Sequence, residues 1–183
     1  MSETNNKEII NSYITGFGDL DPDLKFGILL KLINSLKERL SWDEYFILIA
    51  QSVKNRSSCE RLKVGCVITG NNRSLCTGYN GHVPGAPHNS KIIDGHEQLT
   101  IHAEVNAICN AANNGISLNN SKAYVTHYPC INCAKSLIAA GISEIVYLED
   151  YNNNPINKEL FLSKGVKVNK MKYSNSEIFS INN

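Results

Sequence analysis

The chain has no excess of charge of either sign: 18 Lys and Arg stand against 17 Asp and Glu, a formal net charge of +1 over 183 residues. A general electrostatic pull toward a nucleic-acid backbone is therefore missing, which favours a small substrate over a polymer. It also has no long apolar run: none approaches the roughly 18 to 20 residues needed to cross a bilayer. Met1 to Lys7 are polar and carry nothing of a secretory leader. Six cysteines are too few and too scattered for a secreted disulfide scaffold. These absences read as a cytoplasmic protein in a reducing compartment, with no membrane and no nucleic acid among its partners. The length suits one domain with a full core plus an extension.

Against that background His102-Ala103-Glu104 and, downstream, Pro129-Cys130-Ile131-Asn132-Cys133 stand out. An isolated Cys-x-x-Cys is equally a redox pair or half of a structural zinc site. Here no second Cys-x-x-Cys completes a four-ligand structural set, and a His-x-Glu lies upstream where a helix begins. Imidazole nitrogen and thiolate sulfur are zinc ligands, and a catalytic zinc keeps three protein ligands so that a fourth place can hold water. His102, Cys130 and Cys133 fill the three places, and Glu104 is left over as the base that collects the water's proton. His-x-Glu followed by Pro-Cys-x-x-Cys is the order found in zinc nucleobase deaminases.

Along the chain, Asp21-Pro22 opens a helix in which Phe26, Leu29, Leu30, Ile33, Leu36 and Leu40 recur at helical spacing, a stripe suited to packing on the main domain or on a neighbouring subunit. Ser41-Trp42-Asp43-Glu44 is a capping box starting a second helix that runs to about Val53. Val64 to Thr69 and Leu75 to Gly78 read as strands joined by an Asn71-Asn72 hairpin turn. A long loop from Tyr79 to Thr100 leads to a helix from Ile101 to about Asn113, closed by Gly115. Then come a strand at Ala123–Thr126, a helix carrying Cys133 through Ala140, a strand at Glu144–Leu148, a helix at Pro155–Ser163 and a strand at Val166–Lys170. Such alternation predicts an α/β sandwich whose later strands are parallel, with the two metal-bearing helices starting side by side. The expected organisation is a helical extension over residues 1–40, a zinc-dependent domain over 41–172 and a loose tail over 173–183.

Ser41 to Phe46, Lys63-Val64-Gly65, Gly78-Tyr79-Asn80-Gly81, His102 to Ile108 and Tyr128 to Lys135 together resemble the deoxycytidylate deaminase branch of the cytidine deaminase superfamily, over about Ser41 to Lys170. The resemblance implies a three-layer α/β/α cytidine deaminase-like fold with a five-stranded mixed sheet, and one catalytic Zn²⁺ per subunit. The implied reaction is hydrolysis of deoxycytidine monophosphate (dCMP) to deoxyuridine monophosphate (dUMP) and ammonia, feeding thymidylate synthesis. In it hydroxide at the metal attacks C4 of the base, Glu104 shuttles the protons, and the Ala103 amide and the region of Cys130 hold the intermediate. It also implies a homo-oligomer, a hexamer or a dimer, with dCTP and dTTP as effectors.

For the substrate, the resemblance assigns Asn80 to the sugar 3′-hydroxyl, against its reading as a turn residue with left-handed backbone, and Tyr128 to the base or sugar. A 5′-phosphate needs a cation or free amides, for which Arg61 and Lys63 are candidates; the alternative is a solvated pair of surface charges. Gly78, Tyr79, Asn80 and Gly81 are implied effector contacts, while Asn113 stands about where relatives carry an arginine, which weakens the case for effector or subunit contacts. Relatives often hold a second, structural zinc. Cys59, His88 and His96 match its ligands in order, with Glu97 where another cysteine is common, and a zinc clip would order the long loop; the other reading makes His82, His88 and His96 exposed loop residues. Alternative functions are a deaminase of dCTP or cytidine, a tRNA adenosine deaminase, and a non-catalytic binding module stabilised by zinc, in which Glu104 is dispensable. The tight Cys130–Cys133 spacing excludes the deaminase of riboflavin synthesis.

Overall fold

The computed structural model describes residues 17–172. Residues 1–16 and the expected tail over 173–183 lie outside the described residues. Leu40–Met171 form one compact unit, and helix α1 (Pro22–Asn34) belongs to another.

In α1 the Asp21 carboxylate accepts from the Asp23 amide at 2.9 Å and Pro22 takes the first turn, the start its sequence predicts. The helix stops sooner than its apolar stripe: Ser35 ends it, donating its hydroxyl to the Leu32 carbonyl at 2.7 Å, so Leu36 and Leu40 fall outside it. No residue of α1 is buried.

In the larger unit, α2 (Trp42–Val53) opens with the predicted capping box: the Ser41 amide donates to the Glu44 carboxylate at 2.7 Å and the Glu44 amide to the Ser41 hydroxyl at 3.3 Å. Strands β1 (Gly65–Gly70) and β2 (Arg73–Tyr79) form a hairpin whose turn residues, Asn71 and Asn72, have φ of 52° and 57°. Two left-handed residues in succession match the strands' twist, and asparagine tolerates that conformation best among residues with a side chain. Two short ribbons follow, β3 (Gly81–His82) with β6 (Thr100–Ile101) and β4 (Ile92–Ile93) with β5 (His96–Glu97). The rest is α3 (Ala103–Asn113), β7 (Ser121–His127), α4 (Ile131–Ala139), β8 (Ile142–Glu149), α5 (Pro155–Ser163) and β9 (Lys167–Lys170).

The main sheet has the order β2-β1-β7-β8-β9, antiparallel as far as β7 and parallel from β7 to β9. This is the expected five-stranded mixed sheet. Successive residues of a strand face opposite sides, and the core divides accordingly. Cys66, Ile68, Ala123, Val125 and Ile145 pack with residues of α3, α4 and α5, whereas Val67, Tyr124 and Val146 pack with Phe46, Ile47 and Ala50 of α2. The result is three layers, with one helix on one face and three on the other. An ionic staple, Asp43 to Lys122 to Glu144 at 2.8 Å each, with the Tyr124 hydroxyl donating to Asp43 at 2.8 Å, fastens the start of α2 to the sheet.

Candidate metal centre and active site

Two helix starts build the centre. His102 and Cys130 are the N-cap residues of α3 and α4, with extended backbones (φ −65°, ψ 150° and φ −68°, ψ 167°), so each side chain stands at the helix mouth. Cys133 lies in the first turn of α4, buried. What brings α3 to this place is small side chains. Ala103, Ala107 and Ala111, spaced one turn apart, are buried against the sheet. Opposite them Gly78 of β2 lies so close that a Cβ there would sit 2.3 Å from the Ala103 carbonyl and the Ala107 amide. Gly78, an implied effector contact, therefore lies under α3 as a packing glycine.

The His102 Nδ1 lies 3.3 Å from Cys133 Sγ and 3.5 Å from Cys130 Sγ. The ligand atoms of all three residues lie within 4.8 Å of one another, and no other such group occurs among the described residues. Tetrahedral zinc with Zn–N near 2.0 Å and Zn–S near 2.3 Å requires N···S edges of about 3.6 Å, so one nitrogen and two sulfurs at these separations fit it. A hydrogen bond from Cys133 and the His102 imidazole pull the Cys130 thiol down to about 3, and the same bond, with burial, pushes the Cys133 thiol far up. The hydrogen bond to Cys130 raises His102 in turn. Glu104, in the first turn of α3, is 4% exposed, and burial raises its carboxyl above the ordinary range.

His102, Glu104 and Cys130 open on a cavity of about 610 Å³, with Cys133 buried behind them and off its lining. Of the residues read from sequence, Cys59, Arg61, Asn80, His102, Ala103, Glu104, Tyr128 and Cys130 line it, whereas Lys63, Gly78, Tyr79 and Gly81 do not. Lys63 is exposed. Asn80 has no positive φ, which removes the left-handed turn reading. Its side chain braces the loop before β1 instead. Its amide oxygen accepts from the Val64 amide at 2.7 Å and the Ser57 hydroxyl at 2.8 Å, and its amide nitrogen donates to the Leu62 carbonyl at 2.6 Å. Only its second amide hydrogen is left for a ligand. Tyr128 is buried and meets Tyr147 edge to face, centroids 5.0 Å apart.

Sequence reasoning missed Tyr151 and His127. The Arg61 guanidinium donates to the Tyr151 hydroxyl and lies 5.7 Å from the centre of its ring, while His127 meets the same ring edge to face at 6.3 Å. Burial, with Lys54 adding to it, lowers His127 to about 4, so it is neutral at physiological pH. Nothing in the local sequence marks either residue; Tyr151 follows β8, 90 positions from Arg61.

The residues of the proposed second zinc are not gathered in what the structure describes. His88 stacks on His82 at 5.0 Å, Cys59 is buried, and the His96 side chain lies outside the described residues. Asn113 is exposed in the last turn of α3.

The cytidine and deoxycytidylate deaminase zinc-binding region matches residues 40–149. ComE operon protein 2 of Bacillus subtilis is 43% identical over 138 residues, 73% of each chain. A deoxycytidylate deaminase of Schizosaccharomyces pombe is 34% identical over 160 residues, 81% of this chain and 49% of that one, so the chain spans about half that relative's length. A crystal structure of dCMP deaminase from the cyanophage S-TIM5, in complex with dCMP and dUMP, superposes with a TM-score of 0.66 at 29% identity, covering 73% of this chain and 99% of that one. With the zinc-type donor set at two helix mouths and a matching region that spans most of the larger unit, the chain belongs to the family of zinc-binding cytidine and deoxycytidylate deaminases.

Proposed function

We propose that the chain hydrolyses dCMP to dUMP and ammonia. The observation that carries the proposal is the convergence of His102, Cys130 and Cys133 beside the buried Glu104 on one side of a cavity that also contains Arg61. His102, Cys130 and Cys133 would hold zinc, which would supply a Lewis acid that brings the pKa of water toward neutrality. Glu104 takes the proton of the attacking water and delivers it to N3 of the ring. Once the oxygen is bonded to C4, the Glu104 carboxylate takes the remaining proton from the hydroxyl now on C4. It passes that proton to the amine, which leaves as ammonia while the C4–N bond breaks and the C4 carbonyl forms. Burial suits the group to this work, because it raises the Glu104 carboxyl and so makes the carboxylate a better proton acceptor. The Ala103 amide, free at the first turn of α3, donates to the oxygen that gains charge.

Arg61, aimed by Tyr151, receives the 5′-phosphate, and neutral His127 offers a further donor. Tyr128 packs against the base or sugar, and Asn80 gives its remaining amide hydrogen to the 3′-hydroxyl. Effector control by dCTP and dTTP, and assembly into a homo-oligomer, rest on the family resemblance. Rates with each nucleotide and the mass in solution by light scattering test them.

The test of the activity is ammonia release by the zinc-loaded protein on dCMP, with deoxycytidine, cytidine, dCTP and a tRNA adenosine hairpin in parallel. Preference for dCMP is the expected result. Turnover confined to the hairpin, or on none of the substrates, overturns the proposal.

A further inference from the structure

Residues 83–99, between β3 and β6, wall the cavity without a core of their own. Val83, Ile92, Ile93 and Leu99 are all 45% exposed or more. A segment this long inside a compact unit needs a fastening, and apolar burial does not supply it.

The polar contacts do. Glu97, only 9% exposed, accepts three hydrogen bonds: its Oε1 from the Lys91 amide at 3.1 Å and the Leu99 amide at 2.9 Å, its Oε2 from the Ser90 hydroxyl. Lys91 precedes β4 and Leu99 follows β5, so one carboxylate oxygen bridges the two arms of the hairpin at its open end. At the closed end, Asp94 and Gly95 make the turn with φ of 49° and 72°. A second tie runs beside it: the His82 ring bridges the Ser58 hydroxyl and the Asn89 carbonyl, 3.1 Å from each. Leu99 leads into β6, which pairs with β3 and is followed directly by His102, the metal ligand that caps α3. Holding Leu99 therefore holds the approach to His102, and holding the hairpin keeps Ile93, Asp94 and Thr100 on the cavity wall.

We propose that Glu97 is a positioning residue: its carboxylate, gripping Ser90, Lys91 and Leu99, is the clasp that shapes this wall, and it does so in place of a second metal. Three of the roughly four lone-pair positions of the Glu97 carboxylate already receive donors, so a cation arriving there competes with the clasp. The hydrogen bonds from Ser90 and Leu99 hold its carboxyl down at about 2, so the clasp is charged throughout the physiological range.

Three readings test the proposal on the whole 183-residue chain, and only the kinetic one rests on the deaminase assignment. Metal analysis of the wild type and of Glu97→Ala is expected to give one zinc per chain in both. Limited proteolysis is expected to cut Glu97→Ala within residues 83–99 about tenfold faster, the consequence of losing one buried charge-assisted clasp. The KM for dCMP is expected to rise about tenfold with kcat changed less than about threefold, since the wall moves and the metal ligands stay. Glu97→Gln, which keeps an acceptor for the two amides, and Ser90→Ala, which removes one donor, are expected to fall between. They supply the same readings if Glu97→Ala does not fold. A second zinc in the wild type, or a loop cut at the wild-type rate in all three variants, overturns the proposal.

Discussion

The floor and the wall of the cavity are held by different forces. The floor, where α3 and α4 begin, is set by close packing: Gly78 admits α3 to contact with β2, and a ladder of buried alanines keeps it there. The wall, residues 83–99, is set by hydrogen bonds to Glu97 and His82 with its apolar side chains left in solvent. Packing is stiff, and small changes in volume are felt at once; a polar clasp yields more easily and can be loosened one bond at a time. The zinc-type ligands and Glu104 therefore sit on the stiff part, and the adaptable part walls the cavity beside them.

The largest effect is expected on the floor. Glu104→Gln keeps the zinc ligands and removes the proton carrier, so kcat should fall about 10²- to 10⁴-fold with zinc content unchanged, measured as ammonia release alongside metal analysis. Gly78→Val should come next. Its side chain has nowhere to go between β2 and the first turns of α3, so stability in urea should fall by about 1–3 kcal/mol or more, with zinc affinity falling alongside. If Gly78→Val is as stable as the wild type, the packing account of the floor is wrong.

Changes at the rim of the cavity should be smaller and selective. Arg61→Ala should raise the KM for dCMP about tenfold and leave deoxycytidine, which has no phosphate, near its wild-type value. Lys63→Ala, at an exposed position off the cavity, should change either by less than about twofold. Equal effects of the two substitutions would return both cations to the status of surface charges.

The mildest test is pH. The folded pKa of Glu97 lies near 2 against an ordinary 4.5. A depressed carboxyl stabilises above its unfolded pKa and loses that contribution as pH falls toward its folded one. Amide exchange of Lys91 and Leu99, corrected for intrinsic rates and compared with Glu97→Gln, should show extra protection at neutral pH that fades between about 4.5 and 2.

What the sequence discloses follows the same division. Cys130 and Cys133 lie on one turn and His102 and Glu104 on another, so the metal set is written in short spacings and its meeting point follows from two neighbouring helix starts. The Asn71-Asn72 turn and the Ser41 capping box are equally local, and both are formed. Tyr151 reaches Arg61 across 90 positions, and nothing near either residue encodes that meeting. Asn80 resembles a ligand contact or a turn, yet most of its hydrogen-bonding capacity goes to Ser57, Leu62 and Val64, partners that only the folded chain supplies. The stripe of α1 suggests a helix to Leu40, but a period constrains faces, not ends, and Ser35 closes the helix early. Glu97 was legible as a residue where a metal ligand is common in relatives; that it serves as a hydrogen-bonded clasp needs the positions of Ser90, Lys91 and Leu99.

The separation of turnover from phosphate recognition is tested most directly by one set of steady-state kinetics: kcat and KM for dCMP and for deoxycytidine in the wild type, Glu104→Gln and Arg61→Ala, at matched zinc content. The account predicts that Glu104→Gln loses turnover on both substrates, and that Arg61→Ala loses only affinity for dCMP. Wild-type turnover by Glu104→Gln, or an equal loss of turnover on both substrates in Arg61→Ala, would contradict it.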